Sequence, residues 1–233
     1  MRKTLKDYII GLQHRFSDSG LSVRLEGFYK RFRDPKRRFE NLFNPLVLMP
    51  ELASDRVAVS PEKARAQGLE LSMVYQPVAW FNTWLGYTHA YADDELDGSW
   101  VKRGWDQRHT VSGGMAWEPG SWTLSAALLW HSGWQTTALP TSLSQDEVPN
   151  LRRNSDRLPN YFSLDLRIAR TWRWQDQSLS LFLELTNSLN RDNVGAYEYD
   201  VEEDEENGGY FLPREPVTLL PRIPSLGVRW TFN

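Results

Sequence analysis

Four histidines, His14, His89, His109 and His131, are the chain's candidates for acid–base or metal chemistry. None stands at the HxxxH or HExxH spacing that would set two imidazoles on one helical face. With no cysteine in the chain, thiolate zinc sites, cysteine nucleophiles and disulfides are excluded. His109, in the block DQRHT, is read as a hydrogen-bonding structural residue near a strand end. Serines are present, but none lies in a GxSxG context that would hold a nucleophile. Glu202, Glu203, Asp204, Glu205 and Glu206 form a consecutive acidic run that could attract Ca²⁺ or other bridging cations. Consecutive carboxylates lack the ordered ligand spacing of a dedicated site, so the run is read as a solvated loop; no metal ligand and no cofactor is expected.

The residues best suited to binding are aromatic. Trp100, Trp105, Trp134, Tyr210 and Phe211 fall in long connectors, as does the apolar stretch PLVLMPEL. Exposed aromatics there can grip a ligand by stacking, and they can equally pack connectors against one another. A formal net charge of -3 with no basic stripe leaves no footprint for nucleic acid.

The elements that must position these residues are strands. Apolar and polar residues alternate with period 2 over about 7–16, 21–31, 66–76, 81–91, 108–117, 122–130, 161–172, 179–185 and 225–233, about nine strands in all. Short turns follow the first, third, fifth and seventh, such as SDSG at 17–20 and EPGS at 118–121. Long connectors follow the second, fourth, sixth and eighth. Each strand has roughly the ten residues that a tilted strand needs to cross a bilayer, and no run approaches the ~18 apolar residues of a spanning helix. Short turns on one side and long loops on the other are the plan of an antiparallel transmembrane β-barrel, and a soluble sandwich has no reason to show that asymmetry.

Aromatics make up 13% of the chain, with 11 Trp. Phe16, Tyr75, Trp80, Phe81, Trp117, Trp122, Trp172, Trp174, Trp230 and Phe232 gather at the short-turn ends, as an interfacial girdle would. Simple pairing across 118–121 sets Trp117 against Trp122, Met115 against Leu124 and Val111 against Leu128. The opposite strand face carries Arg24, Glu26, Lys30, Glu70, Asp165, Arg167, Glu184 and Arg229 and is assigned to the lumen. Pairing across 173–177 brings Arg167 opposite Glu184.

An odd strand count leaves both edge strands in need of partners, because hydrocarbon tolerates no open edge. The N-terminal MRKTLKDYIIGLQHRF is basic and has no apolar stretch of secretory length. The chain is therefore expected to be one part of a larger barrel, with any export signal outside it.

Several blocks carry a resemblance. AQGLELSMVYQP, DQRHTVSGGMAWEPGSWTLSAALLWHSGW, LPNYFSLDLRIAR, LFLELTNSLNRDN and the closing PRIPSLGVRWTF resemble, in that order, the C-terminal barrel of TonB-dependent outer-membrane receptors. The resemblance implies that residues 1–233 are the last nine strands of a 22-stranded barrel whose lumen holds an N-terminal plug. It implies a cell outer membrane location in a Gram-negative bacterium. It also implies energy-coupled uptake of a scarce nutrient such as a ferric siderophore, haem, cobalamin or a glycan.

The implied partners are outer-membrane lipid and lipopolysaccharide, TonB through the absent N-terminal part, a small-molecule nutrient, and the barrel-assembly machinery. The last of these would read the terminal strand at Trp230 and Phe232. In this family the chain usually ends on that aromatic; here Asn233 follows it. Two other readings stay open: a lipase-like barrel enzyme, and a small pore closed by these strands alone.

Overall fold

The computed structural model describes residues 4–144, 152–204 and 209–232. Nine long strands dominate: β1 (Thr4–Phe16), β2 (Leu21–Arg33), β3 (Lys63–Val78), β4 (Phe81–Leu96), β5 (His109–Trp117), β6 (Trp122–His131), β7 (Tyr161–Trp174), β8 (Gln177–Thr186) and β9 (Ile223–Phe232). They pair in chain order, each antiparallel to the next, and among the described residues β1 and β9 have their outer edges unpaired. The wall is thus an open piece of a barrel.

Its short turns use the backbone conformations that their residues permit. Gly20 and Gly120 take left-handed φ values of 68° and 67°. At Gly20 an added Cβ would also strike the Gln76 carbonyl, so this turn requires glycine.

Register fixes two faces. One row runs Leu12, Leu25, Leu71, Tyr87, Val111, Trp130 and Phe162, all direct partners on successive strands. The adjacent row, on the other face, runs Glu26, Glu70, Thr88, Thr110, His131 and Tyr161. Beyond β7 the same alternation continues as Ile168, Leu183 and Leu226 against Arg167, Glu184 and Ser225.

The apolar face lies open: Ile10, Leu12 and Leu226 are 77%, 75% and 73% exposed. A soluble sandwich would cover such a face, and an uncovered apolar wall is made for lipid. No helix among the described residues is long and apolar enough to cross a membrane, which says nothing about strands.

Two details depart from the sequence reading. In the 118–121 hairpin Trp117 faces Leu124, Met115 faces Ala126 and Val111 faces Trp130, a shift of two residues from simple pairing. The Glu118 N–H donates to the Trp80 carbonyl, which pulls the start of the turn toward β4. Trp122 and Thr123 meanwhile pair only with β7. A two-residue shift keeps every side chain on its face.

The second departure is length: β3 and β4 each run 16 residues, beyond where alternation ends. At their outer ends Lys63, Arg65, Asp93 and Glu95 take the face that is apolar further in, so the hydrophobic signal stops while the ladder continues. Cross-strand ion pairs hold it there, Lys63 to Glu95 at 2.6 Å and Arg65 to Asp93 at 3.0 Å.

The long connectors are folded as well. Arg38–Asn41 pairs with Arg56–Val59, Ser99–Lys102 extends the edge of β4, and Gln135–Thr136 pairs with Asp156–Arg157. Gly209–Phe211 lies between Ser142–Ser144 and Glu202–Asp204, and Val194–Tyr199 pairs with Arg214–Thr218. The buried residues gather in and around these connectors, among them Val59, Asp94, Asp106, Thr137, Leu158 and Leu212.

Candidate functional site in the long connectors

Two buried carboxylates organise the connector side of the sheet. Asp94, at the outer end of β4, is 0% exposed. It accepts from Arg103 Nη2 at 2.8 Å and Nε at 3.1 Å, and from Arg38 Nη2 as well. Arg38 also donates to Glu40 at 2.7 Å, and Arg153 stands 2.9 Å from Glu40. Asp106 accepts from Arg108 at 2.9 Å, from Arg157 at 3.2 Å and from the Ala92 N–H at 3.2 Å.

Charge-assisted bonds of this kind fix geometry, and a buried carboxylate tolerates burial only while its cations remain. Burial works against the Arg38 cation, but bonds to Asp94 and the charge of Glu40 outweigh it and hold its pKa above the ordinary value. For Arg153 burial wins over the attraction of Glu40 and Asp94, and its pKa is lowered.

Backbone contacts complete the block. Thr137 N–H donates to the Leu42 carbonyl at 2.9 Å, Gln135 N–H to Gly104 at 3.0 Å, and Asn154 Nδ2 to Lys102 at 2.6 Å. Where the 131–135 segment passes 158, Gly133 lies so close to the Leu158 carbonyl that any Cβ would collide with it. Three connectors distant in sequence are therefore knitted together over the outer end of the wall.

Between the 34–62 and 97–108 connectors lies a cavity of about 290 Å³ lined by Arg38, Glu40, Asn44, Pro45, Arg103 and Trp105 among others. Its chemistry is mixed: two guanidinium groups, one carboxylate, proline and indole surface. The Trp105 Nε1–H donates to the Pro45 carbonyl at 2.8 Å while the residue stays 73% exposed. Such a site can take an anionic ligand with apolar or aromatic parts.

The five aromatics singled out from sequence are not brought together. Trp105 borders the cavity. Trp100 packs under the Arg65 guanidinium, 4.1 Å from ring centre to Cζ. Trp134 lies 4.7 Å from His131, which stacks on Tyr161 at 4.9 Å. Tyr210 and Phe211 sit in the small sheet with Glu202–Asp204.

Sequence reading passed over Arg38, Asp94, Arg103, Asp106, Arg153 and Arg157. Charged residues inside a connector look solvated until the fold shows what covers them. The one available signal was the pair Asp93–Asp94, which continues a strand without apolar alternation.

His89 and His109 are direct partners on β4 and β5. His109 Nδ1 lies 2.8 Å from the Tyr87 hydroxyl and 3.3 Å from His89 Nδ1, and His89 Nε2 lies 3.1 Å from the Tyr91 hydroxyl. His14 packs edge-on to Phe16. Among the described residues no group of three or more His, Asp or Glu is placed to hold a metal. Of the acidic run, Glu205 and Glu206 lie outside the described residues.

The eight residues assigned to the lumen, Lys30 included, share one face of the wall. Arg24 is paired with Glu26, Glu26 stands opposite Glu70, and Arg229 opposite Ser180. Arg167 and Glu184 are direct partners with Nη1 to Oε2 at 3.2 Å, as the turn at 173–177 requires. Asp165 accepts from the Ser163 hydroxyl and the Asn187 N–H, both at 2.8 Å. At the chain's end Trp230 stacks on Phe232 at 5.0 Å and donates from Nε1 to Gln177 at 3.1 Å.

Comparison with known proteins agrees with this geometry. No curated protein matches the chain in sequence. Solved structures share its fold at low identity. The pyoverdine receptor FpvA of P. aeruginosa is 16% identical with a TM-score of 0.60, over 97% of this chain and 27% of that one. The ferric-catecholate import receptor Fiu of E. coli is 15% identical with a TM-score of 0.58, over 98% and 27%. The ferric citrate transporter FecA is 17% identical with a TM-score of 0.60, over 97% and 31%. The chain thus spans under a third of each of these proteins. A family model described as TonB dependent receptor-like, beta-barrel, matches residues 4–188, and the chain belongs to that family.

Proposed function

We propose that this chain is the C-terminal nine-stranded part of a 22-stranded TonB-dependent receptor in the outer membrane of a Gram-negative bacterium. The receptor takes up a scarce nutrient using energy passed on by TonB. The observation that carries the reading is the open apolar face, banded with aromatics at the short-turn end, on a wall whose long connectors all fold on the opposite side. The plug and the TonB-contacting segment belong to the rest of the receptor.

The face bearing Arg24, Glu26, Glu70, Asp165, Arg167, Glu184 and Arg229 lines the lumen. The connector block faces outward toward lipopolysaccharide and ligand, and the strand ending in Trp230 and Phe232 is read by the barrel-assembly machinery. Ferric siderophores head the candidate nutrients, ahead of haem, cobalamin and glycans. The cavity at Arg38, Arg103 and Trp105 suits an anionic chelate, and the structural neighbours include receptors for ferric chelates. Trp105 is proposed as a contact residue there, with Trp100, Trp134, Tyr210 and Phe211 as further outward-facing aromatics.

The test is uptake of radiolabelled ferric chelates by cells that depend on this receptor. Uptake is expected to require TonB and to fall about tenfold with Arg103→Ala or Trp105→Ala, the scale of one lost contact of about 1.4 kcal/mol. Uptake unaffected by loss of TonB, or a protein absent from the outer-membrane fraction, would sink the proposal.

A further inference from the structure

Near the short-turn end of the apolar face, Arg170 has no carboxylate partner among the described residues. Arg170 continues the β7 row of Leu164, Leu166 and Ile168, and its direct neighbours across β6 and β8 are Trp122 and Leu181. Its guanidinium carbon lies 5.2 Å from the Trp122 ring centre and 5.1 Å from that of Trp172. Among the described residues no Asp or Glu oxygen approaches it within the 4.0 Å of an ion pair. A lone arginine facing hydrocarbon is costly unless it reaches the interface and finds an anion there. Trp122 and Trp172 mark that depth, because indoles settle at headgroup level.

Beside the guanidinium is a depression of about 280 Å³ lined by Trp122, Ile168, Arg170, Trp172 and Leu181 among others. Through Ile168 and Leu183 it runs into a second, almost wholly apolar hollow of about 370 Å³ bounded by Met115, Leu124, Ala126, Leu166 and Leu185. The hollow exists because Ala126, between Met115 on one side and Leu166 on the other, is too small to fill its place in the row. From Arg170 to Leu166 the groove follows β7 for about 13 Å, at ~3.3 Å per residue.

A cation between two indoles at the interface, opening into an apolar channel toward the membrane centre, matches one kind of molecule. We propose that this wall holds a phospholipid of the periplasmic leaflet. Its phosphate sits on Arg170 between Trp122 and Trp172, and one acyl chain lies in the Ile168–Leu183–Ala126 groove. Guanidinium suits this task better than ammonium, because its planar fork matches two phosphate oxygens. The proposal rests on the membrane placement given above.

The experiment is native mass spectrometry of the assembled receptor in mild detergent, titrated with phosphatidylglycerol. Wild type is expected to retain one lipid about tenfold more tightly than Arg170→Gln, with Arg170→Lys between them. Millimolar inorganic phosphate should not displace it, since the chain supplies part of the hold. Ala126→Trp keeps the cation but fills the groove, and should weaken binding to a similar extent.

Equal lipid affinity in wild type and Arg170→Gln overturns the site. If Arg170→Gln does not assemble, unchanged affinity in Ala126→Trp does so. Outer-membrane fractionation and heat-modifiable migration are measured on the same samples. A wild type that is not inserted overturns the membrane placement and this site with it, whereas inserted protein without preferential binding overturns the site alone.

Discussion

Asp94 shows how far one residue's role depends on what covers it. In the sequence it is the second of two aspartates ahead of Glu95 and Leu96, and nothing in that string separates it from a solvated loop. In the structure it is fully buried and holds Arg38 of one connector and Arg103 of another. Asp94→Ala would leave the Arg103 guanidinium facing a partly buried space without an anion, and Arg38 with Glu40 alone. Breaking a buried pair costs about 3–5 kcal/mol, and because both arginines keep some solvent contact the lower end applies. The loss should be local. Limited proteolysis of intact cells is expected to cut the 34–62 and 97–108 connectors in the variant and spare them in wild type, while the barrel keeps its heat-modifiable migration. Cutting equal to wild type would show that the backbone contacts at Leu42 and Gly104 hold the block unaided.

At the scale of elements, the strands are set by alternation and their exact pairing by contacts across the wall. Phe182 illustrates the second point: its ring carries the Arg167 guanidinium at 3.9 Å on one side and covers Gly227, its direct partner on β9, where an added Cβ would collide with the ring. Gly227→Val should force the ring aside at a cost of about 1–3 kcal/mol, the usual range for overpacking. Adding Phe182→Ala should recover much of that loss, so unfolding measurements on the two single variants and the double variant should be clearly non-additive. The Arg167–Glu184 pair beside it is more exposed, and a double-mutant cycle should return a coupling of about 0.2–1 kcal/mol that shrinks with added salt. A larger, salt-insensitive coupling would mean that this face is drier than an aqueous lumen.

For the whole molecule, the two faces of the wall meet different solvents, and a chain without cysteine allows them to be told apart by single substitutions. Arg229→Cys and Val228→Cys are adjacent on β9 and point to opposite faces. In outer-membrane vesicles a charged, water-soluble maleimide is expected to label Arg229→Cys and leave Val228→Cys unlabelled, with the preference reversed for an apolar reagent dissolved in lipid. Equal labelling of both positions by the charged reagent would contradict the barrel placement.

Read by itself, the sequence determined the nine long strands, the side of the short turns and which residues share a face. It did so because side-chain direction in a strand has a period of two residues and is settled locally, with no knowledge of the partner. It also determined that Arg167 meets Glu184, since the turn between paired Trp174 and Gln177 has only two residues and so fixes the register beside it. The tertiary structure alone decided the two-residue shift beyond Trp117, the outward extension of β3 and β4, the separation of Trp100, Trp105, Trp134 and Tyr210, and the burial of Asp94 and Asp106. Arg38 is 56 residues from Asp94, and Arg157 is 51 from Asp106. The energy that holds such pairs comes from burial shared between connectors, a quantity that exists only once the connectors lie against one another.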